Sequence, residues 1–137
     1  MKRICLIFLG VVLTQCSVSP EQVEYAKDPC QFCKMTIMEP GFAAELVNTK
    51  GRSYKFDDIS CMIKYMKMEE QQVEDYAFVL VNEYATDQWI DAANARYIHH
   101  ENLRSPMQGN TAAFKSKIPE EWAQEPELNW NELWEMF

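Results

Sequence analysis

The strongest constraint on the fold is the block between residues 42 and 81, in which the hydrophobic period changes twice. It opens on "FAAELVN" and "SYKF", β-prone runs that predict strands at Phe42–Asn48 and Ser53–Phe56. Between them, Thr49-Lys50-Gly51-Arg52 reads as a turn, with Gly51 free to take a positive φ. The period then becomes helical. Ile59, Met62, Ile63 and Met66 stand at i, i+3, i+4 and i+7, which predicts one buried stripe on a helix over about Ile59–Glu70. Asp57 or Asp58 is a fitting N-cap for it. "YAFVLV", Tyr76–Val81, is a continuous apolar run and predicts a strand buried on both faces.

Beyond a connector at Asn82–Asp91 the pattern is less regular. "ANARYIHH" holds a strand, "SPMQGN" a turn or loop, and "TAAFK" a second short strand. Pro119 followed by Glu120 and Glu121 marks a helix start, since a proline loses nothing in the first turn and acids suit its positive end. Asn129 with Glu132 is a capping pair. Trp130, Leu133, Trp134 and Phe137 then share one helix face, read as a core lid or docking surface rather than a ligand cage. A faint echo, Met-x-x-x-x-Ala-Ala, links Met38–Ala44 to Met107–Ala113 and hints at two β-rich halves.

Residues 1–15 carry Lys2 and Arg3, then an apolar run from Ile4 through Leu13 without an acid. That is a signal peptide's basic start and apolar middle, too short to span a bilayer. It ends in Leu13-Thr14-Gln15-Cys16, similar to a lipobox, although Gln15 stands where a small residue is usual. Cys16 is therefore expected to be lipidated and to tie the protein to a membrane of the cell envelope, facing the periplasm or exterior. Residues 16–28 are polar and read as a tether, leaving 29–137 as the working domain. The formal charge of −8 becomes more negative once Lys2 and Arg3 are gone, which argues against nucleic acid as a partner. Only Cys30, Cys33 and Cys61 remain as free thiols, an awkward number for a disulfide framework.

The chemistry concentrates in "DPCQFCKMTI", residues 28–37. A redox C-x-x-C sits at a helix N-terminus, and here no apolar helical stripe follows. Zinc would need Cys61 and one of His99 and His100 to complete a tetrahedron, with no second C-x-x-C and no role for Met35. Cu(I) is soft and selects thiolate and thioether donors. If Cys33-Lys34-Met35 is extended, Cys33 and Met35 share a face with Cα atoms ~7 Å apart. A third sulfur is then needed, and Met107, in a loop flanked by Pro106 and Gly109, is a candidate.

Five ordered blocks, "DPCQFCKMTI", "PGFAAEL", "KFDDISCM", "QWIDAANARYI" and "SPMQGNTAAF", together resemble the NosL family, copper-binding lipoproteins linked to maturation of nitrous oxide reductase. The resemblance runs from about Asp28 to Phe114. It implies an α+β fold of two linked ββαβ-like halves, about 29–84 and 85–137, similar to a domain of organomercurial lyase. It also implies delivery of Cu(I) to the reductase through its assembly machinery, without catalysis. Carried residue by residue, it makes Cys33 a thiolate ligand and Met35 and Met107 thioether ligands, with Cys30 matching the family's first cysteine. The family commonly has glycine where this chain has Lys34, and more glycine after the later methionine than "MQGN" offers.

The remaining residues read more plainly. Cys61 flanks the helical stripe as a small buried thiol, Met62 and Met66 are core, and Met38 is a loop methionine. His99-His100 is a polar strand end, since neighbours on a strand face opposite ways, and Asp57 and Asp58 are capping residues. Two alternatives stand beside copper delivery: a thiol enzyme acting on organomercurials or disulfides, and a zinc-bound envelope protein.

Overall fold

The computed structural model describes residues 17–137. The predicted signal peptide and the predicted lipid site at Cys16 lie outside the described residues. Among the described residues, seven strands and two α-helices follow in the order β1 (Ala44–Asn48), β2 (Ser53–Phe56), α1 (Ile59–Met68), β3 (Tyr76–Asn82), β4 (Trp89–Asp91), β5 (Arg96–His99), β6 (Thr111–Phe114), β7 (Glu127–Leu128) and α2 (Trp130–Met136). They form two antiparallel sheets, ordered β2-β1-β3-β4 and β6-β5-β7. The fold is thus α+β. β1–β2–α1–β3 is a ββαβ unit. The second sheet is built by β5, β6, a single 3₁₀ turn at Glu120–Trp122, and β7, with α2 added after it.

The first unit follows from its sequence. Gly51 takes φ +83°, which closes the β1–β2 turn. Asp58 caps α1, accepting from the Ser60 N–H at 2.8 Å. Ile59, Met62, Ile63 and Met66 are fully buried against Ala44, Leu46, Phe56, Val79 and Val81 of the sheet. Each such side chain contributes about 1.5–3 kcal/mol on leaving water. The same core takes in Tyr97 and Ala113 of the second sheet and Trp130 and Leu133 of α2. The Asn129–Glu132 capping box forms in both directions, and Trp134 and Phe137 pack half-buried on this core, as a lid does.

Several expectations need correction. In β3 only Val79–Asn82 is buried on both faces, because Ala77 at the sheet's end is exposed. The connector expected at Asn82–Asp91 contains β4, whose three residues are too few to show a period. Pro119 starts only one 3₁₀ turn, not an α-helix. The Met-x-x-x-x-Ala-Ala echo joins unlike positions, since β1 is inside its sheet and β6 at an edge. Residues 21–28, placed in the tether for their polarity, lie against the first sheet. There the Glu21 N–H donates to the buried Glu45 at 2.9 Å, Lys55 holds the Gln22 carbonyl and the Asp28 carboxylate, and Val23 is buried.

Candidate metal centre

Two segments meet to form the site. The first is the loop 28–37, closed by a bridge between Pro29 and Thr36 and by Ile37 N–H donating to the Asp28 carbonyl at 2.9 Å. Inside it, the Cys30 N–H donates to the Met35 carbonyl at 2.7 Å and the Lys34 N–H to the Cys30 carbonyl at 3.0 Å. The Gln31 N–H donates to the Lys55 carbonyl at 2.7 Å, pinning the loop to β2. Lys34 sits at φ +68°, in the left-handed region. Cys33-Lys34-Met35 is therefore a tight turn and not the extended run that the spacing argument assumed. A β-branched or straight chain pays for that conformation, which is why a glycine is natural at this position.

The second segment is the junction of β2 and α1. Cys61 lies in the first turn of α1, its N–H donating to the Asp58 carbonyl at 3.0 Å. Asp57, just before the extended Asp58 cap, brings its carboxylate to the side of Cys61. The sulfurs of Cys30, Cys33 and Cys61 and a carboxylate oxygen of Asp57 all lie within 4.8 Å of one another. Cys30, Asp57 and Cys61 are buried and Cys33 is half-buried, all three cysteines being free thiols. The Cys33 thiol donates to Asp57 Oδ2 at 3.3 Å, while Asp57 Oδ1 is buried with no hydrogen-bond partner.

The electrostatics are uneven. The Cys61 thiol, aimed at the Cys30 sulfur, is the main cause that brings the Cys30 thiol down to about 6, helped by the backbone N–H groups of Asp57 and Cys33. Burial, with Cys30 and Asp57 beside it, pushes Cys33 up to about 12. Cys61 is pushed up as the donor to Cys30 and by burial. Of the three sulfurs, Cys30 is the one whose surroundings most favour the thiolate.

The donor set fits a thiophilic cation. A metal–sulfur bond of about 2.3 Å puts two sulfurs about 3.8 Å apart around a tetrahedral ion and about 4.6 Å apart across a linear one. Spacings up to 4.8 Å close onto an ion with small side-chain rotations. The partnerless Asp57 oxygen is the second sign, because a buried carboxylate oxygen left bare is costly.

Met107 is brought to this corner by Asp58. Its Oδ2 accepts from Ser105 Oγ, from the Met107 N–H at 3.1 Å and from the Gly109 N–H at 3.3 Å, while Oδ1 caps α1. Gly109 is required there, since a Cβ would stand 2.3 Å from Asp58 Oδ1 and 2.6 Å from Ser60 Oγ. Met107 is half-buried against the main core, whereas Met35 is 56% exposed. Met38, 60% exposed, belongs to the loop before β1.

The structure thus joins Cys30 and Cys33, and it ties the backbones of Met35 and Met107 to the same corner. It adds two residues read otherwise from the sequence. Asp57 does not cap the helix, because Asp58 does. Cys61 is buried in the core as expected, and its sulfur also lies beside those of Cys30 and Cys33. No local spacing signals this pairing, because Asp57 stands before the extended cap and outside the helical repeat. Neither histidine joins them. His99 Nδ1 lies 3.0 Å from the Gly109 carbonyl, and His100 accepts from the Asn102 N–H at 3.1 Å.

Comparison with known proteins agrees with this architecture. The model of the NosL family matches residues 22–125. The fold is similar to the crystal structure of the copper chaperone NosL from Shewanella denitrificans, with a TM-score of 0.67 and 19% identity, covering 82% of this chain and 94% of that one. No curated protein matches the chain.

Proposed function

The chain belongs to the NosL family, and from that premise we propose that it is a Cu(I)-binding chaperone. It carries copper as cargo and passes it on by ligand exchange, with no bond made or broken in a substrate. The observation that carries this reading is the gathering of Cys30 and Cys33 in a sulfur cluster beside the bare oxygen of Asp57. Cys33 serves as thiolate ligand, with Cys30 beside it, and Met35 and Met107 supply thioethers. Soft donors of this kind select Cu(I). Exposed Met35 suits entry and release, because a neutral thioether lets go more readily than a thiolate.

The acceptor in this reading is nitrous oxide reductase, reached through its assembly machinery, and a lipid on Cys16 holds the protein to a membrane of the cell envelope. Competition between the reduced full chain and a chromophoric Cu(I) chelator tests copper binding. One tightly held Cu(I) per chain is expected, and equal affinity in Cys33→Ala would sink the reading.

One observation favours a second reading. Three thiolates with a carboxylate also make a donor set that zinc accepts. Adding Zn²⁺ to the same competition decides: displacement of Cu(I) by equimolar Zn²⁺ would favour zinc.

A further inference from the structure

We infer that Cys61 is a metal ligand, the third sulfur of a buried seat made with Cys30 and Cys33. This rests on the copper-binding reading of the same corner and adds to it a donor that the C-x-x-C segment does not contain.

Three observations carry the inference. The Cys61 sulfur lies within 4.8 Å of both other sulfurs and of the Asp57 oxygen. A cysteine buried merely as a small hydrophobe would face hydrocarbon. Cys61 belongs to the buried core, yet its sulfur also meets two further sulfurs and a carboxylate, which a small hydrophobe does not need. Finally, its place is held rigidly. Cys61 stands in a helix turn whose cap, Asp58, also grips the Met107 loop, so the third sulfur and the loop methionine are positioned by one carboxylate.

The arrangement grades from outside to inside. Met35 is 56% exposed and Cys33 half-buried, whereas Cys30 and Cys61 are 0% and 1% exposed. The buried seat of Cys30, Cys33 and Cys61 is where the ion rests, and the exposed Met35 edge is where it is handed on.

The test uses the reduced full chain. Cu(I) competition and copper-edge X-ray absorption are run on wild type, Cys61→Ser and Cys61→Ala, each checked for folding by circular dichroism. Loss of one sulfur scatterer and an affinity at least about tenfold weaker is expected for both variants (about 1.4 kcal/mol). Cys61 is also read directly in the unmutated protein, by loading an NMR-active cadmium isotope and recording cadmium–proton coupling. Coupling to the β-protons of Cys30, Cys33 and Cys61 supports the seat even if the variants misfold. Absence of coupling to Cys61, or a folded variant with wild-type affinity and sulfur count, overturns it. A wild type that takes cadmium through Cys61 but not Cu(I) would sink the copper reading alone.

Discussion

The thiol of Cys33 points at Oδ2 of Asp57 across 3.3 Å, joining the loop that carries the C-x-x-C to the start of α1. A carboxylate so placed disfavours the thiolate, adding to the burial that already pushes Cys33 up to about 12. Asp57→Asn removes that charge, so the Cys33 thiol should fall back and its thiolate fraction at mildly alkaline pH should rise. Alkylation of half-buried Cys33 in the metal-free, reduced protein is expected to quicken severalfold. An unchanged rate would mean that burial and Cys30, without Asp57, set the thiol.

Lys34 at φ +68° holds a conformation that costs a side-chain-bearing residue about 1–2 kcal/mol, against about 0.5–1 kcal/mol for glycine's extra chain entropy. Lys34→Gly should therefore raise stability by about 0.5–1 kcal/mol, read as a higher urea midpoint at constant slope. A lower midpoint would show that the ammonium's bond to the Gln31 carbonyl matters more than the backbone.

Gly109→Ala places a methyl 2.3 Å from Asp58 Oδ1. The Met107 loop must lift off, leaving the buried Asp58 with fewer donors. A loss of about 2 kcal/mol or more is expected by thermal melting, together with weaker Cu(I) binding.

Met107→Ile roughly keeps the side chain's volume while deleting the sulfur, at the cost of adding a β-branch. The folded variant should show one fewer sulfur around Cu(I) by X-ray absorption, and an affinity about tenfold lower. An unchanged sulfur count would remove Met107 from the ligand set.

Glu45 supplies a pH signature away from the metal corner. It is wholly buried, Oε2 has no partner, and burial raises its carboxyl above the ordinary 4.5 despite bonds from Ser53 and Glu21. A folded value raised above the unfolded one gives stability that is full below 4.5 and is lost as pH rises through the folded value. At neutral pH the buried charge is thus a cost. Glu45→Gln should melt higher than wild type at pH 7, and this gain should shrink as pH falls through the raised folded value and be gone below 4.5.

Much of the first ββαβ unit was legible because its periods are long enough to read: the stripe of α1, the Gly51 turn and a cap at Asp57 or Asp58 all came from local pattern. β4 and β7 were not, since two or three residues carry no period and their pairing is set by distant partners. At the site, the sequence singled out Cys30, Cys33, Met35 and Met107 by spacing and resemblance. It took Cys33-Lys34-Met35 as extended because nothing in the letters announces a left-handed lysine. Cys61 and Asp57 were given bland roles for a similar reason. Each has an adequate local explanation, and only the tertiary approach of the 28–37 loop to α1 supplies the other one.

The docked segment 21–28 has a consequence for reach. Glu21 is fastened on both sides, its N–H to Glu45 and its carbonyl to the Trp89 indole at 3.1 Å. From Cys16 to that anchor point the chain can extend at most about 18 Å, at about 3.6 Å per residue. With the proposed lipid on Cys16, the leash is shorter than the domain itself. The domain then rides at the bilayer surface in a restricted set of poses, and an acceptor has to come to the exposed Met35 edge rather than wait for the carrier to swing out to it.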